Sequence, residues 1–285
     1  FGSDLDVIFV YDEPEENDGT HYSAISQLIY KLTSEMTSAG YAYKIDTDLR
    51  PEGVAGVLVM SIAGYQHYFK TRARIWEQQA MVRSRVVAGN QEVGEKFMER
   101  VHDFVFKDEF EYSALIEISR MRERMELELA QEKTKGKNVK LGFGGIADIE
   151  FAMQILQLIH GKKNQRLRKA NTMSALDMFI AQGMIDRIKA SQAKVNYLFL
   201  RRLECALRII SETPTNNLPK EVCDLAQLAR LMSYTGNEED KLANALLEDY
   251  EKQTVQMREY YRETIGQLLR TGPRSFSAEE NKNGP

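Results

Sequence analysis

The chain has 285 residues, 43% of them apolar, and a formal net charge of −4 at pH 7. That length allows one large domain or two moderate ones with a real core, and no apolar run is long enough for a membrane helix. The mildly acidic balance argues against a nucleic-acid partner, which usually requires a basic footprint.

The first element already carries chemistry. Gly2-Ser3-Asp4-Leu5-Asp6 leads into the apolar run Val7-Ile8-Phe9-Val10-Tyr11, which predicts a strand. Strand side chains alternate, so Asp4 and Asp6 point to one side of the sheet. Carboxylates placed that way share divalent cations, and magnesium bridges carboxylates to substrate phosphates. The small residues Gly2 and Ser3 let a triphosphate approach the backbone. An isolated Asp-x-Asp is equally the mark of a solvated strand end, so the context has to decide.

Asp12 to Thr20, with Pro14, Asn17 and Gly19, reads as an exposed acidic loop. A helix is predicted from about Tyr22 to Ala39, with Ile25, Leu28, Ile29, Leu32 and Met36 on one face and Gly40 as its stop. A second strand, Tyr41 to Asp46, ends in another carboxylate. The turn Thr47-Asp48-Leu49-Arg50-Pro51-Glu52-Gly53 and a third apolar segment, Val54 to Met60, follow. With Asp46 arriving from a neighbouring strand, the three aspartates make a two-metal site for nucleotidyl transfer. One ion would activate the attacking oxygen, and both would stabilise charge in an in-line displacement.

Beyond about Ile62, helical periodicity dominates. Helices are predicted over about Ile62–Val87, Glu111–Gln131, Thr172–Gln182, Asp186–Ser211, Lys220–Ser233 and Glu238–Leu269. Val139 to Phe151 is a Gly-rich turn running into a further helix. Glu150, Gln154, Gln157 and Gly161 line one side of that helix, either as a polar helix–helix seam or as a face looking into a cleft. Its first N–H groups are placed to receive a phosphate or an acidic side chain. Tyr197 to Glu204 reads as core plus ion pairs, and Trp76 as core. Cys205 and Cys223 lack metal-ligand partners at useful spacing. In a chain without a secretory signal they are expected to be buried, reduced thiols of a cytoplasmic protein.

Five blocks together resemble one family, the glutamine synthetase adenylyltransferases. They are Gly2 to Asp6, Ile45 to Gly53, Trp76 to Gly89, Val139 to Gly161, and Tyr197 to Glu204. The resemblance implies an α+β chain: a polymerase-β-like nucleotidyltransferase domain over residues 1–90, an α-helical bundle over 91–271, and a loose tail over 272–285. Family members carry two such halves. One attaches AMP from ATP to a tyrosine of glutamine synthetase, and the other removes it by phosphorolysis. Asp148, the Trp76 block and the turn from Arg50 to Gly53 look closer to the attaching half.

The resemblance further implies two magnesium ions on Asp4, Asp6 and Asp46, and ATP as substrate against Gly2 and Ser3. Arg50, Arg83 and Arg85 stand as candidates for phosphate contact or for bracing the carboxylates, with structural ion pairing as the alternative for each. The expected partner is glutamine synthetase, without nucleic acid or membrane. A docking role toward glutamine synthetase or a PII-type signalling protein stays open. Two departures stand out. Asp48 occupies a place where the family turn usually has arginine, which puts a phosphate contact there in doubt. The family's Gly-rich segment upstream of Ser3 is also missing, so the nucleotide site is expected to be truncated on its N-terminal side and turnover to be poor.

Overall fold

The computed structural model describes residues 4–12, 19–38, 40, 42–211 and 215–271. It is a mostly helical α+β structure that divides into two compact units between Lys107 and Asp108.

The strands of the first unit are short. β1 (Leu5–Asp6) pairs in parallel with β3 (Ile45–Asp46), and β2 (Phe9–Tyr11) pairs in parallel with β4 (Val59–Ser61). Parallel neighbours need a crossover, and α1 (Thr20–Ser34) lies in it. The predicted first strand is therefore two pieces, each with its own partner. The acidic loop expected at 12–20 falls largely on residues 13–18, outside the described residues.

The expectation for α1 requires correction. The helix stops at Ser34, because Glu35 turns to extended backbone. The Thr33 carbonyl accepts instead from Ala42 N and Tyr43 N. Gly40 sits in the following loop at φ 92° and does not end the helix. The apolar residues whose spacing predicts the helix face solvent, with Ile25, Leu28, Ile29, Leu32 and Met36 all exposed.

The single helix expected over Ile62–Val87 is two, α2 (Ile62–Thr71) and α3 (Ile75–Met81). Glu77 makes the break. Its Oε2 accepts from the Arg74 backbone N–H at 2.7 Å, capping α3, while its Oε1 accepts from Tyr68 OH at 2.8 Å. Trp76 is half-buried. α4 (Gln91–Val105) starts on Asn90, whose side chain accepts from Val93 N. Gln78 Nε2 ties α3 to the end of α4 through the carbonyls of Phe104 and Val105. Phe69 stacks on Phe104 at 4.2 Å between ring centres, and Tyr65 meets Phe97 edge-on. These contacts place α4 with the first unit, so the boundary lies beyond residue 90.

The second unit contains α5 (Tyr112–Arg124), which passes into a π-helical turn at Met125–Leu129, then α6 (Glu132–Lys135) and α7 (Ile146–His160). α8 (Thr172–Ala181), α9 (Arg187–Ile210), α10 (Val222–Leu231) and α11 (Glu239–Thr271) follow, close to their predicted ranges. α7 is apolar nearly all round and buried along most of its length, so it forms the centre on which α5, α8, α9 and α11 pack. The tail expected at 272–285 lies outside the described residues. Among the described residues, no helix is long and apolar enough to cross a membrane.

Candidate active site

The β1–β3 register decides which carboxylates meet. Leu5 N donates to Lys44 O and Val7 N to Asp46 O, each at 2.8 Å. Asp6 is thereby the direct partner of Asp46 on the neighbouring strand. Their side chains share one face, and Asp4, two residues before Asp6, is on the same side. Like charges directly opposite on adjacent strands destabilise a sheet. A divalent cation between them reverses that sign, so the donor chemistry fits a hard metal ion.

The three carboxylates do not converge as a ligand set. Asp4 Oδ2 accepts from Lys44 Nζ at 3.2 Å, and Asp46 Oδ1 accepts from Asp48 N at 2.8 Å. Among the described residues, no three acidic, histidine or cysteine side chains stand at metal-holding geometry. Lys44 stands beside Asp4 at this candidate site, and sequence reasoning passed over it. Its signal was available, since it lies two positions before Asp46 and so projects from the same face of β3.

Gly2 and Ser3 lie outside the described residues. Arg50, a candidate for phosphate contact or for bracing with structural pairing as the alternative, donates into its own turn. Its Nη1 donates to Thr47 O and Oγ1 at 2.8 and 2.6 Å, its Nη2 to Val54 O at 3.0 Å, and its Nε to Gly56 O at 3.3 Å. The guanidinium is thus the internal brace of the turn that follows Asp46. That turn also needs its glycine: a Cβ on Gly56 would stand 1.9 Å from Pro51 O. Asp48, at the position of the family arginine, lies 3.8 Å from Arg50 Nη1. Arg83 and Arg85 are exposed just beyond α3.

In the second unit, the polar stripe on α7 is used as a seam. Gln157 Nε2 donates to the carbonyls of Leu167 and Lys169 at 2.7 and 2.9 Å, holding the loop before α8. Glu150 Oε1 accepts from Tyr197 OH on α9 at 3.2 Å. The glycines before α7 serve close packing. Gly144 has φ 63°, and a Cβ there would fall 1.8 Å from the Thr254 carbonyl oxygen on α11.

At the start of α7 the structure builds a buried ion network. Asp148 Oδ1 lies 2.5 Å from Arg122 Nη2, and Asp148 Oδ2 lies 2.9 Å from Arg258 Nε. Glu126, on the π-helical turn, pairs with both arginines. Arg122 Nη2 also donates to Gly142 O at 2.9 Å, and Phe143 lies against the Arg258 guanidinium. Burial pushes the Asp148 carboxyl up to about 6, against the opposing pull of Arg122 and Arg258. Sequence reasoning used Asp148 only as a family marker and found none of its partners. Both cysteines, expected to be buried, are exposed.

Residues 1–100 match the model of the glutamate-ammonia ligase adenylyltransferase family, and residues 117–265 match that of the GlnD PII-uridylyltransferases. The chain belongs to the glutamate-ammonia ligase adenylyltransferase family. It is 34% identical over 241 residues to a bifunctional glutamine synthetase adenylyltransferase/adenylyl-removing enzyme of Stenotrophomonas maltophilia, covering 82% of this chain. A Shewanella loihica protein of the same name is 29% identical over 274 residues, or 93% of the chain, and one from Pseudomonas aeruginosa is 31% identical over 240. The chain spans about a quarter of the length of these relatives (26% of the Stenotrophomonas protein). Their name covers both attachment and removal of the adenylyl group.

Proposed function

We propose that this chain transfers AMP from ATP to a tyrosine of glutamine synthetase, through a polymerase-β-like nucleotidyltransferase site built on β1 and β3. The observation that carries the reading is the register that sets Asp6 opposite Asp46, with Asp4 on the same face. Asp4, Asp6 and Asp46 would hold two magnesium ions, which supply charge neutralisation at the nucleotide phosphates. For that, Asp4 gives up its contact with Lys44.

The tyrosine hydroxyl oxygen forms a bond to the α-phosphorus, and the bond to the β-phosphate bridging oxygen breaks, releasing pyrophosphate. Asp46 takes the hydroxyl proton. Arg50 acts as a positioning residue, since it fixes the turn that carries Asp46. Gly2 and Ser3 remain assigned to the triphosphate, and Arg83 and Arg85 to phosphate contact.

The attaching reaction is preferred to the removing one on the sequence of the Asp148 and Trp76 blocks. The test is mass spectrometry of purified glutamine synthetase after incubation with this chain, ATP and magnesium, beside an Asp4→Asn control. An AMP adduct on tyrosine, absent in the control, is the expected result. Loss of a pre-existing AMP with release of ADP when phosphate is supplied would replace attachment by removal. Neither reaction in a chain carrying its relatives' upstream segment would overturn the catalytic reading.

A further inference from the structure

α9 carries a surface that the nucleotide chemistry does not use. One side of the helix, with Ala193, Leu200 and Leu207, is buried against the bundle. The opposite side is apolar and open: Ile188 is 82% exposed, Val195 55%, Leu198 47% and Ile209 68%. Together with exposed Cys205, these residues fall on the a and d positions of one heptad frame, a seam about 30 Å long. Such spacing is the pattern by which one helix receives another.

The flank of the seam is charged with one sign. Arg187, Lys194, Arg201 and Arg208 each precede an a position, and Arg202 stands within the seam. Across its 24 residues α9 has six basic side chains and one acidic, Glu204, in a chain whose net charge is negative. Glu204 is buried and shared between Arg201 and Arg208, which leaves positive charge over. Lys194 pairs with Asp177 and Lys189 with Glu263, so three acidic partners face the six basic side chains of the helix and a positive excess remains.

We propose that this face of α9 docks an amphipathic helix of a partner protein whose apolar seam is flanked by acidic side chains. Charge complementarity selects that occupant. A second copy of α9 laid antiparallel would set the basic flank against itself. A bilayer surface would call for a broad apolar face, whereas this one is a narrow stripe with Arg202 at its middle. The proposal is independent of the nucleotidyltransferase reading, because no aspartate of that site takes part.

The probe is a synthetic helical peptide of about four heptads with Leu at a and d and Glu at e and g, beside its counterpart with Lys at e and g. Binding is read by fluorescence anisotropy and by the alkylation rate of Cys205, with exposed Cys223 on α10 as the internal reference. The Glu peptide is expected to bind, to slow Cys205 alone, and to weaken as salt rises. Val195→Glu should cost at least about tenfold in affinity, the equivalent of one lost apolar anchor. Its thermal melt should match wild type, since Val195 faces solvent. Three results would overturn the proposal: equal binding of the Lys peptide, no protection of Cys205 by either peptide, or a wild-type dimer in which Cys205 is already shielded. Protection by anionic vesicles but not by the Glu peptide would assign the face to a membrane surface instead.

Discussion

Asp6 faces Asp46 across two parallel strands, and Lys44 reaches Asp4 on the same face. The β1–β3 pair therefore concentrates three negative charges with one positive charge among them. Replacing any one of the aspartates by asparagine should reduce AMP transfer by about 10²-fold or more, the scale of losing one preorganised electrostatic group. For Asp46→Asn the melt should stay close to wild type, because an amide oxygen at the same place still accepts from Asp48 N. Single-turnover transfer and thermal melts of the same variants check both parts.

Arg50 makes hydrogen bonds to three backbone carbonyls and a threonine hydroxyl within one turn. Arg50→Ala should destabilise the first unit by about 1.5–3 kcal/mol, as for loss of charge-assisted hydrogen bonds at a partly buried site. Arg50→Lys should not restore it, since an ammonium cannot reproduce the planar fork. Urea unfolding followed by the fluorescence of the sole tryptophan, Trp76 in this unit, measures both.

Asp148 is fully buried between Arg122 and Arg258. Asp148→Asn leaves two buried guanidinium groups with Glu126 as their carboxylate partner in the network, and at the same time removes the cost of burying the Asp148 charge. The pH dependence has a definite sign. The native carboxyl is pushed up to about 6 from an ordinary 3.8, so the folded state binds the extra proton between those values. Its contribution to stability is fully present below the lower value and is lost as pH rises through the upper one. Asn does not titrate, so wild type should gain stability relative to Asp148→Asn as pH falls from neutral toward about 4. Unfolding free energies at a series of pH values decide it.

Cys205 and Cys223 are both exposed. Both should react with a disulfide reagent in the native protein as completely as in denaturant, with two thiols titrated before unfolding. A thiol that appears only on denaturation would contradict the structure.

Gly144 closes the approach of the pre-α7 loop to the backbone of Thr254. Gly144→Ala combines a left-handed backbone with a clash against a carbonyl, and should cost at least about 1–3 kcal/mol from strain alone. Thermal melts of the variant check it.

The order of the elements, the helical character beyond residue 62, the Asp4–Asp6 pair and the arrival of Asp46 from a second strand were all legible in the sequence, because side-chain periodicity and turn residues are local signals. What each stripe packs against was not local. The same apolar spacing that buries α7 leaves α1 and the outer face of α9 in solvent, since periodicity marks a face without saying what covers it. Arg50 carries the charge of a phosphate ligand, yet in the fold all three of its nitrogens donate to oxygens of its own turn. Asp148, Arg122, Arg258 and Glu126 come from three separate stretches of chain, and only tertiary packing brings them within ion-pair distance. Residue types and their spacing thus identified the family and marked the aspartates as candidates, while tertiary packing decided which charged groups brace the fold, because ion pairs between distant stretches form only where the chain brings them together.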